Sequence, residues 1–253
     1  MCYMVKRGIE IFREKGCIAF IREFLRYILN QLILPPYAMF KIREVDQHYS
    51  LDELVNFTFT WCLGVIKPSQ VRYEILELLK ILDKTKPKFV LEIGTANGGT
   101  LFLFSHVASE DAIIISIDLP GGRFGGGYFE FKAPLYKSFA LKSQRLHLIR
   151  ANSHKRSTLE EIKAILNGRN IDFLFIDGDH TYEGVKKDFE MYSPLTKKNG
   201  VIALHDIIAR SPEIDFGVSR FWNEIKSEYE HIEIIKDWNQ KWAGIGLVKN
   251  VKI

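Results

Sequence analysis

The spacing of hydrophobic residues along this chain changes near residue 88. Before it, apolar positions recur every three or four residues, which predicts helices. After it, short apolar runs alternate with helical stretches, a pattern typical of a parallel sheet covered by helices on both faces. The predicted strands are 89–93, 112–117, 146–150, 171–176, 201–204, 232–235 and 244–248. We therefore predict an α/β fold with seven strands.

Helices are predicted between these strands and also before the first of them. The helices that follow strand one are 100–107, 158–166, 182–192 and 216–229, with a turn at 198–200. Two more are expected within residues 50–83. Ser50 is expected to cap the first, because a serine side chain accepts a bond from a backbone N–H of the first turn. Gln70 and Arg72, near the start of the second, are expected to be polar residues of the surface.

Residues 1–43 have a different character from the rest of the chain. The segment contains eight Lys or Arg and three Glu, an excess of five positive charges. The apolar side of the predicted helix consists of Cys17, Ile21, Phe24, Leu25, Ile28 and Leu32, and the basic side of Lys15, Arg22 and Arg26. This segment either lies on an anionic membrane surface or a partner, or packs on the catalytic domain as a lid or dimerisation helix. We favour the second interpretation.

The domain division is predicted from two prolines and from the regular helical pattern that begins at residue 50. Pro35-Pro36 is expected to end the N-terminal helical element, because proline removes a helix donor and restricts the residue before it. We therefore assign residues 1–49 to an N-terminal amphipathic extension and residues 50–253 to the main domain. Peripheral membrane contact is considered for residues 1–43 alone.

Composition restricts the compartment and the partners of the protein. The net charge of +4 in 253 residues is too small and too mixed to indicate nucleic-acid binding. Three widely spaced cysteines predict neither a disulfide framework nor a zinc site, and they fit a reducing compartment. The uncharged runs 27–40 and 55–66 are shorter than the roughly 20 residues that span a bilayer. A cytoplasmic protein is expected, with or without peripheral attachment to a membrane.

The first predicted strand leads into a glycine-rich turn and then a helix. The stretch reads Phe-Val-Leu-Glu-Ile-Gly-Thr-Ala-Asn-Gly-Gly-Thr over 89–100. Glycine permits unusual backbone angles and close approach of a ligand, and a helix start offers free N–H groups. A dinucleotide fingerprint is G-x-G-x-x-G, whereas this turn is E-x-G-x-x-x-G. A carboxylate at Glu92 would repel a pyrophosphate and suit a ligand with cationic amino-acid and sulfonium groups, so an NAD-dependent dehydrogenase is disfavoured.

By these residues the turn resembles motif I of the class I S-adenosylmethionine-dependent methyltransferases. The resemblance implies a Rossmann-like sheet of seven mostly parallel strands, with helices on both faces and an antiparallel last strand, here with an N-terminal helical extension. It also implies S-adenosyl-L-methionine as cofactor. Residues that match cofactor-binding positions are Glu92, Gly94, Thr95, Gly98, Asp118, Asn152, Ser153 and Asp177.

Acidic and polar residues follow the second and third strands. Asp118 ends strand two, 24 residues after Gly94, where an acidic residue accepts hydrogen bonds from ribose hydroxyls. Asn152 and Ser153 follow strand three, where the resembled family contacts the adenine amino group. Residues 121–127 contain five glycines and form a loop that is expected to close over a substrate.

The densest cluster of reactive residues follows strands four and five. Asp177-Gly178-Asp179-His180 and His205-Asp206 place three acids and two histidines at neighbouring strand ends. This part is similar to metal-dependent macrolide-sugar methyltransferases and cephalosporin-hydroxylase-like proteins. The similarity implies Asp177, His205 and Asp206 as ligands of Mg²⁺ or Mn²⁺, His180 as general base, and Asp177 as a further catalytic residue. His205 departs from that subgroup, which carries a carboxylate there. For Asp179 we favour a role as helix N-cap.

The resemblance implies an O-methyltransferase that moves a methyl group to a hydroxyl of a small molecule. Sugars, glycolipid intermediates and polyketide glycosides are the leading acceptors. Two alternatives stay open: a metal-dependent hydroxylase-like relative on the same fold, and a non-catalytic, membrane-docked partner protein that binds the cofactor. A homo-oligomer also stays open.

Overall fold

The computed structural model describes residues 16–22, 24–25, 29, 34–42, 49–120, 127–141, 143–208 and 217–252. The strands are β1 (Phe89–Ile93), β2 (Ile113–Asp118), β3 (Arg145–Arg150), β4 (Ile171–Ile176), β5 (Thr196–His205), β6 (Tyr229–Ile234) and β7 (Ile245–Lys252). The helices are α1 (Leu34–Ile42), α2 (Leu51–Thr60), α3 (Arg72–Thr85), α4 (Gly99–Val107), α5 (Ala133–Lys137), α6 (Arg156–Leu166), α7 (Tyr182–Tyr192) and α8 (Val218–Ile225).

The seven strands form one sheet with the order β3-β2-β1-β4-β5-β7-β6. Neighbours from β3 to β5 run parallel, whereas β7 pairs antiparallel with both β5 and β6. The α/β fold class and the seven strands are confirmed. The strand order reverses between β1 and β4. In open sheets of this kind, ligands bind beyond the carboxyl ends of the strands at such a reversal.

The core has two halves, because successive side chains of a strand point to opposite faces. On one face, Val90, Phe173 and Phe175 pack with helices α2, α3 and α4. On the other face, Leu91 and Ile93 pack with α6, α7 and α8. Helix α4 is buried on nearly all sides, and this burial fixes the position of the turn that precedes it.

Helix α1 was not predicted. Pro35 and Pro36 were expected to end a helix, but they lie in the first turn of α1, where the missing N–H costs no helical bond. Ala38 and Ile42 are buried in the first half of the core, and α1 packs against α5. The helix therefore belongs to the packed body, and the division at residue 49 stays a prediction.

The described part of residues 16–25 is helical. Four residues of the predicted apolar face, Cys17, Ile21, Phe24 and Leu25, are exposed there, while Ile28 and Leu32 lie outside the described residues. No helix among the described residues is long and apolar enough to cross a membrane.

Several element boundaries differ from the predictions, among them those of β5 and α8. Strand β5 begins at Thr196 and includes the expected turn 198–200, where Asn199 has φ 61° and the register with β4 shifts. The helix expected over 216–229 is shorter, since α8 ends at Ile225 and Tyr229 begins β6. The predicted cap is confirmed: Ser50 and Glu53 form a reciprocal capping box at the start of α2.

Candidate functional site

The carboxyl ends of β1, β2 and β4 meet at the glycine turn that follows β1. The Gly94 N–H donates to the Ile117 carbonyl and the Asp177 N–H donates to the Ile93 carbonyl, each at 2.8 Å. Gly94 has φ 99°, and a Cβ there would lie 2.1 Å from the Asp177 carbonyl oxygen. The turn and the start of the acidic cluster are therefore packed against each other, and only glycine fits between them.

Glu92 lies completely buried beneath this turn. Its carboxyl oxygens accept hydrogen bonds from the Thr100 hydroxyl at 2.5 Å and the Ser116 hydroxyl at 2.6 Å. The Ser116 hydroxyl is also 2.5 Å from that of Thr95. Burial raises the pKa of Glu92 to about 8, against the two hydrogen bonds, so the group is mostly neutral at pH 7. In this setting Glu92 joins β1, β2 and α4, and its role in cofactor binding stays a prediction.

Asp118 holds the upper side of the same turn. Its Oδ2 accepts the N–H groups of Thr95 at 3.0 Å and Ala96 at 2.7 Å. Ala96 has φ 44°, an unusual angle for a residue with a side chain, and its carbonyl accepts a bond from the Tyr136 hydroxyl. Burial raises the pKa of Asp118, against the backbone N–H groups that lower it. Ribose binding by Asp118 stays a prediction.

The turn after β3 is ordered by its own side chains. The Asn152 side-chain oxygen accepts the His154 N–H at 2.8 Å, and the Tyr192 hydroxyl donates to the Ser153 carbonyl at 2.6 Å. His154 Nε2 lies 3.2 Å from Oδ1 of the fully buried Asp188, which raises the pKa of His154. Asn152 and Ser153 are thus fixed at the carboxyl edge, and their contact with adenine stays a prediction.

Asp177 is the centre of the cluster after β4 and β5. Its Oδ1 lies 3.0 Å from His205 Nδ1 and 3.7 Å from His180 Nε2, and its Oδ2 accepts a bond from Gln70 Nε2 at 2.7 Å. Gln70 was expected on the surface, and this is wrong: it is buried and bound to Asp177. Pro68, two residues before Gln70, packs against Gly99 at the start of α4. This contact holds the chain before α3 close to the glycine turn.

His180 and Asp206 form the second half of the cluster. His180 Nδ1 lies 2.8 Å from Asp206 Oδ2, while Asp206 Oδ1 accepts the Ala243 N–H at 3.0 Å. Asp206 has φ 64° and is only 1 % exposed. A residue held in this left-handed conformation at the end of a strand is typical of a functional site.

Both histidines have raised pKa values. Burial alone lowers the pKa of His205, but the carboxylates of Asp177 and Asp206 outweigh burial and raise it to about 9. The same opposition acts on His180: burial lowers its pKa, and the bond to Asp206 with the charge of Asp177 raises it overall. His205 is therefore a cation at neutral pH.

Three side chains of this cluster can hold a metal ion together. Ligand atoms of Asp177, His180 and Asp206 lie within 4.8 Å of one another. His205 is not in this set; its Nδ1 lies 3.0 Å from Asp177 Oδ1, and its buried Nε2 has no hydrogen-bond partner among the described residues. The roles of His205 as metal ligand and of His180 as base stay predictions.

Two further residues of this region were not singled out correctly from the sequence. Thr181, not Asp179, is the N-cap of α7, and Asp179 instead accepts bonds from Thr181. Lys132 is buried, and burial lowers its pKa to about 8. The expected loop closure by 121–127 falls largely outside the described residues, although Tyr128, just after it, is buried.

Comparison with known proteins agrees with this geometry. Residues 91–207 match the model of a methyltransferase domain family. The match runs from β1 to the residue after Asp206 and thus covers the glycine turn and the whole acidic cluster. This match supports the resemblance of residues 91–207 to the class I S-adenosylmethionine-dependent methyltransferases.

Two curated relatives match part of this chain. An uncharacterised protein of Sinorhizobium fredii is 29% identical over 148 residues, which is 57% of this chain and 16% of the relative. An uncharacterised protein of Acanthamoeba polyphaga mimivirus is 29% identical over 136 residues, 54% of this chain and 59% of the relative. The matched segment thus spans less than two thirds of either relative.

Solved methyltransferase structures share the fold. An O-methyltransferase from Bacillus cereus in complex with SAH is 16% identical, with TM-score 0.53, and the match covers 88% of this chain and 96% of that one. The O-methyltransferase TomG from Streptomyces achromogenes, in complex with SAM, has 17% identity, TM-score 0.51 and coverage of 83% and 93%. A TDP-rhamnose 3'-O-methyltransferase of calicheamicin biosynthesis has 15% identity, TM-score 0.54 and coverage of 85% and 92%.

Proposed function

We propose that this domain transfers a methyl group from S-adenosyl-L-methionine to a hydroxyl of a sugar-bearing small molecule. The observation that carries the proposal is the His180–Asp206 pair beside Asp177, close to the glycine turn. A module that only binds the cofactor needs no oriented base. The TDP-rhamnose methyltransferase with the same fold supports a sugar as acceptor.

The turn between β1 and α4 suits the cofactor. Gly94, Thr95 and Gly98 with the N-terminus of α4 would hold its amino-acid part, Asp118 its ribose, and Asn152 with Ser153 its adenine. Each oxygen of the Asp118 carboxylate can accept more than one bond, so the backbone N–H groups it already binds do not exclude ribose hydroxyls. When bound, the cofactor supplies an activated methyl group on a sulfonium.

The residues of the chain then have to orient the acceptor and take up its proton. With Nδ1–H donating to Asp206 Oδ2, His180 presents Nε2 as the basic atom. Asp206 is itself held by the Ala243 N–H, so the imidazole has one preferred direction. Alignment of two reactants can supply roughly 7–11 kcal/mol of barrier lowering, which is why a positioned base and a fixed acceptor suffice for this reaction.

A divalent cation would be held by Asp177 and Asp206 with either His205 or His180 as the third ligand, and His180 can act as the base only where His205 is that ligand. Two carboxylates and imidazole nitrogen fit Mn²⁺ or another transition metal better than Mg²⁺, which prefers oxygen ligands. The fit is conditional on protonation, because His205 and His180 must lose their protons before their nitrogens can coordinate a metal. A cation at this place would lower the pKa of the acceptor hydroxyl.

Calorimetry tests cofactor and metal in one series. S-adenosylhomocysteine and NAD are titrated into the protein with Mg²⁺, with Mn²⁺ and with EDTA. We expect binding of S-adenosylhomocysteine in every buffer, no heat with NAD, and a separate Mn²⁺ isotherm that Asp177→Asn abolishes. Binding of NAD, or failure to bind S-adenosylhomocysteine, would contradict the proposal. An unchanged Mn²⁺ isotherm in the variant would contradict the metal site alone.

A further inference from the structure

The loop between β6 and β7, residues 236–244, contacts Asp206, the hydrogen-bond partner of the proposed base His180. Its Ala243 N–H donates to Asp206 Oδ1, and its Ala243 and Gly244 carbonyls accept the N–H groups of Ile208 and Ile207. The loop therefore lies along the chain that leaves β5, at the carboxyl edge of the sheet. Ala243 is the residue that orients Asp206, and every residue of the loop lies within seven positions of it in the sequence.

A buried carboxylate fixes this loop from below. Glu74 of α3 is 0% exposed, and its Oε1 accepts the Gln240 side-chain amide at 2.6 Å and the Lys236 N–H at 3.2 Å. Its Oε2 accepts the Gly244 N–H at 2.9 Å. One side chain thus holds the beginning, the middle and the end of the loop. Such a costly buried carboxylate is retained where a loop has to keep one conformation.

The loop presents two tryptophans to solvent. Trp238 is 67% exposed and Trp242 is 43% exposed, although the next residue, Ala243, is completely buried. Large exposed aromatic rings on a fixed loop are unusual on a surface that binds nothing. The polar residues between them, Asn239 and Lys241, are exposed as well.

We propose that loop 236–244 is the acceptor-binding wall of the site, clamped by Glu74 and offering Trp238 and Trp242 to a sugar ring. The flat C–H face of a pyranose stacks on an indole ring, while amide and amino groups pair with its hydroxyls. Indole combined with polar side chains suits this chemistry better than a purely apolar ligand. Glu74 is a positioning residue, since it acts through the loop. The inference rests on the proposed function and specifies its acceptor side.

Hydrogen exchange tests the clamp without any ligand. In Glu74→Gln the shape is kept, but an amide N–H₂ faces backbone N–H donors. We expect exchange of the amides of 236–244 to accelerate roughly tenfold or more in this variant. Glu77→Gln, one turn along α3 at an exposed ion pair with Lys80, is the matched control and should leave the loop unchanged. Equal exchange in Glu74→Gln and wild type overturns the clamp.

Binding of TDP-rhamnose and of methyl rhamnoside to protein saturated with S-adenosylhomocysteine tests the ligand class. We expect Trp238→Ala and Trp242→Ala to weaken both roughly tenfold, with phenylalanine at either position restoring most of the affinity. Ile232→Ala, an exposed apolar residue of the same hairpin, is the control. The affinity for S-adenosylhomocysteine should stay within about twofold throughout.

The possible failures are distinct. If S-adenosylhomocysteine binds but neither sugar does, or if the tryptophan variants bind both sugars normally, the acceptor wall is overturned and the methyltransferase assignment stands. If the tryptophan variants lose binding of caffeate or of lipid vesicles and not of sugars, the loop serves another ligand and the inference is also overturned. If S-adenosylhomocysteine does not bind, the proposed function falls, and the exchange experiment still decides on Glu74.

Discussion

At the scale of single residues, burial changes what an acidic side chain can do. Glu92 was expected to attract a cationic ligand, but it has no contact with solvent and is held by Thr100 and Ser116. Spacing along a strand indicates which residues reach the carboxyl edge. It does not indicate whether a given side chain there turns outward or inward, since that depends on the residues of the neighbouring strand.

Glu92 predicts a pH dependence of stability. Its folded pKa of about 8 exceeds the ordinary value of 4.5, so the folded protein keeps the proton more firmly than the unfolded chain. The contribution of this group is therefore present at low pH, and the free energy of unfolding falls between pH 4.5 and 8 by up to about 1.4 kcal/mol per pH unit. We expect Glu92→Gln, which is always neutral, to remove this decline. Urea unfolding at pH 5 and pH 8 measures it, and a decline of unchanged slope in the variant would contradict the assignment.

The His180–Asp206 pair predicts a titration that depends on its partner. Asp206→Asn removes a charge that raises the pKa of His180, so the pKa should fall towards or below its ordinary value of 6.5. Histidine resonances in an NMR pH titration measure this shift, and His180→Ala identifies the signal. We expect His180→Ala to cut turnover by about 10²–10⁴-fold with little change in cofactor affinity. Equal loss of turnover and cofactor affinity would make the role of His180 structural.

At the scale of elements, strands and helices were predictable where the pattern is local. Strands β1 and β4 and helix α7 have the predicted bounds, because buried parallel strands are mostly apolar and α7 is amphipathic. Helix α1 was missed, since its prolines are favourable only in a first turn. The burial of Gln70 was missed because it depends on the position of Asp177, 107 residues away.

Replacement by alanine should destabilise the protein more at Gly94, in the turn between β1 and α4, than at Gly168, after α6. Gly94→Ala combines φ 99° with a Cβ 2.1 Å from the Asp177 carbonyl oxygen, whereas Gly168→Ala combines φ 77° with open space. The second change should cost only the backbone term of about 1–2 kcal/mol. We expect Gly94→Ala to cost clearly more and to displace Asp177. Thermal unfolding of both variants measures this, and equal losses would show that the close approach is not rigid.

At the scale of the whole molecule, the sequence predicts which residues lie at the site but not how their side chains contact one another. The sequence places Asp118, Asp177 and Asp206 at the carboxyl edge of one sheet, as a parallel fold requires. It does not indicate that His180, and not His205, would join Asp177 and Asp206 in one ligand set, or that Glu74 would reach the β6–β7 loop. These relations depend on side-chain directions and on contacts between distant segments.

Replacement of His205 predicts how metal binding is linked to global stability. His205→Asp exchanges a cation for the carboxylate of the resembled subgroup, so without metal the variant should be less stable, with three carboxylates close together. With Mg²⁺ its melting temperature should rise more than that of wild type, since a ligand that binds only the folded state stabilises it. His205→Asn, of similar size and neutral, is the control. An equal rise in all three proteins would contradict a metal site in this cluster.

The position of β7 between β5 and β6 affects how the molecule is made. β7 is the last strand in the chain, yet β6 joins the sheet only through it. On the ribosome, β6 therefore emerges with no edge to pair with, and the parallel strands keep β5 as an open border until β7 arrives. The loop that orients Asp206 closes in the same step. In a nascent chain, resistance to protease and completion of the candidate site should therefore come late and together, and not strand by strand.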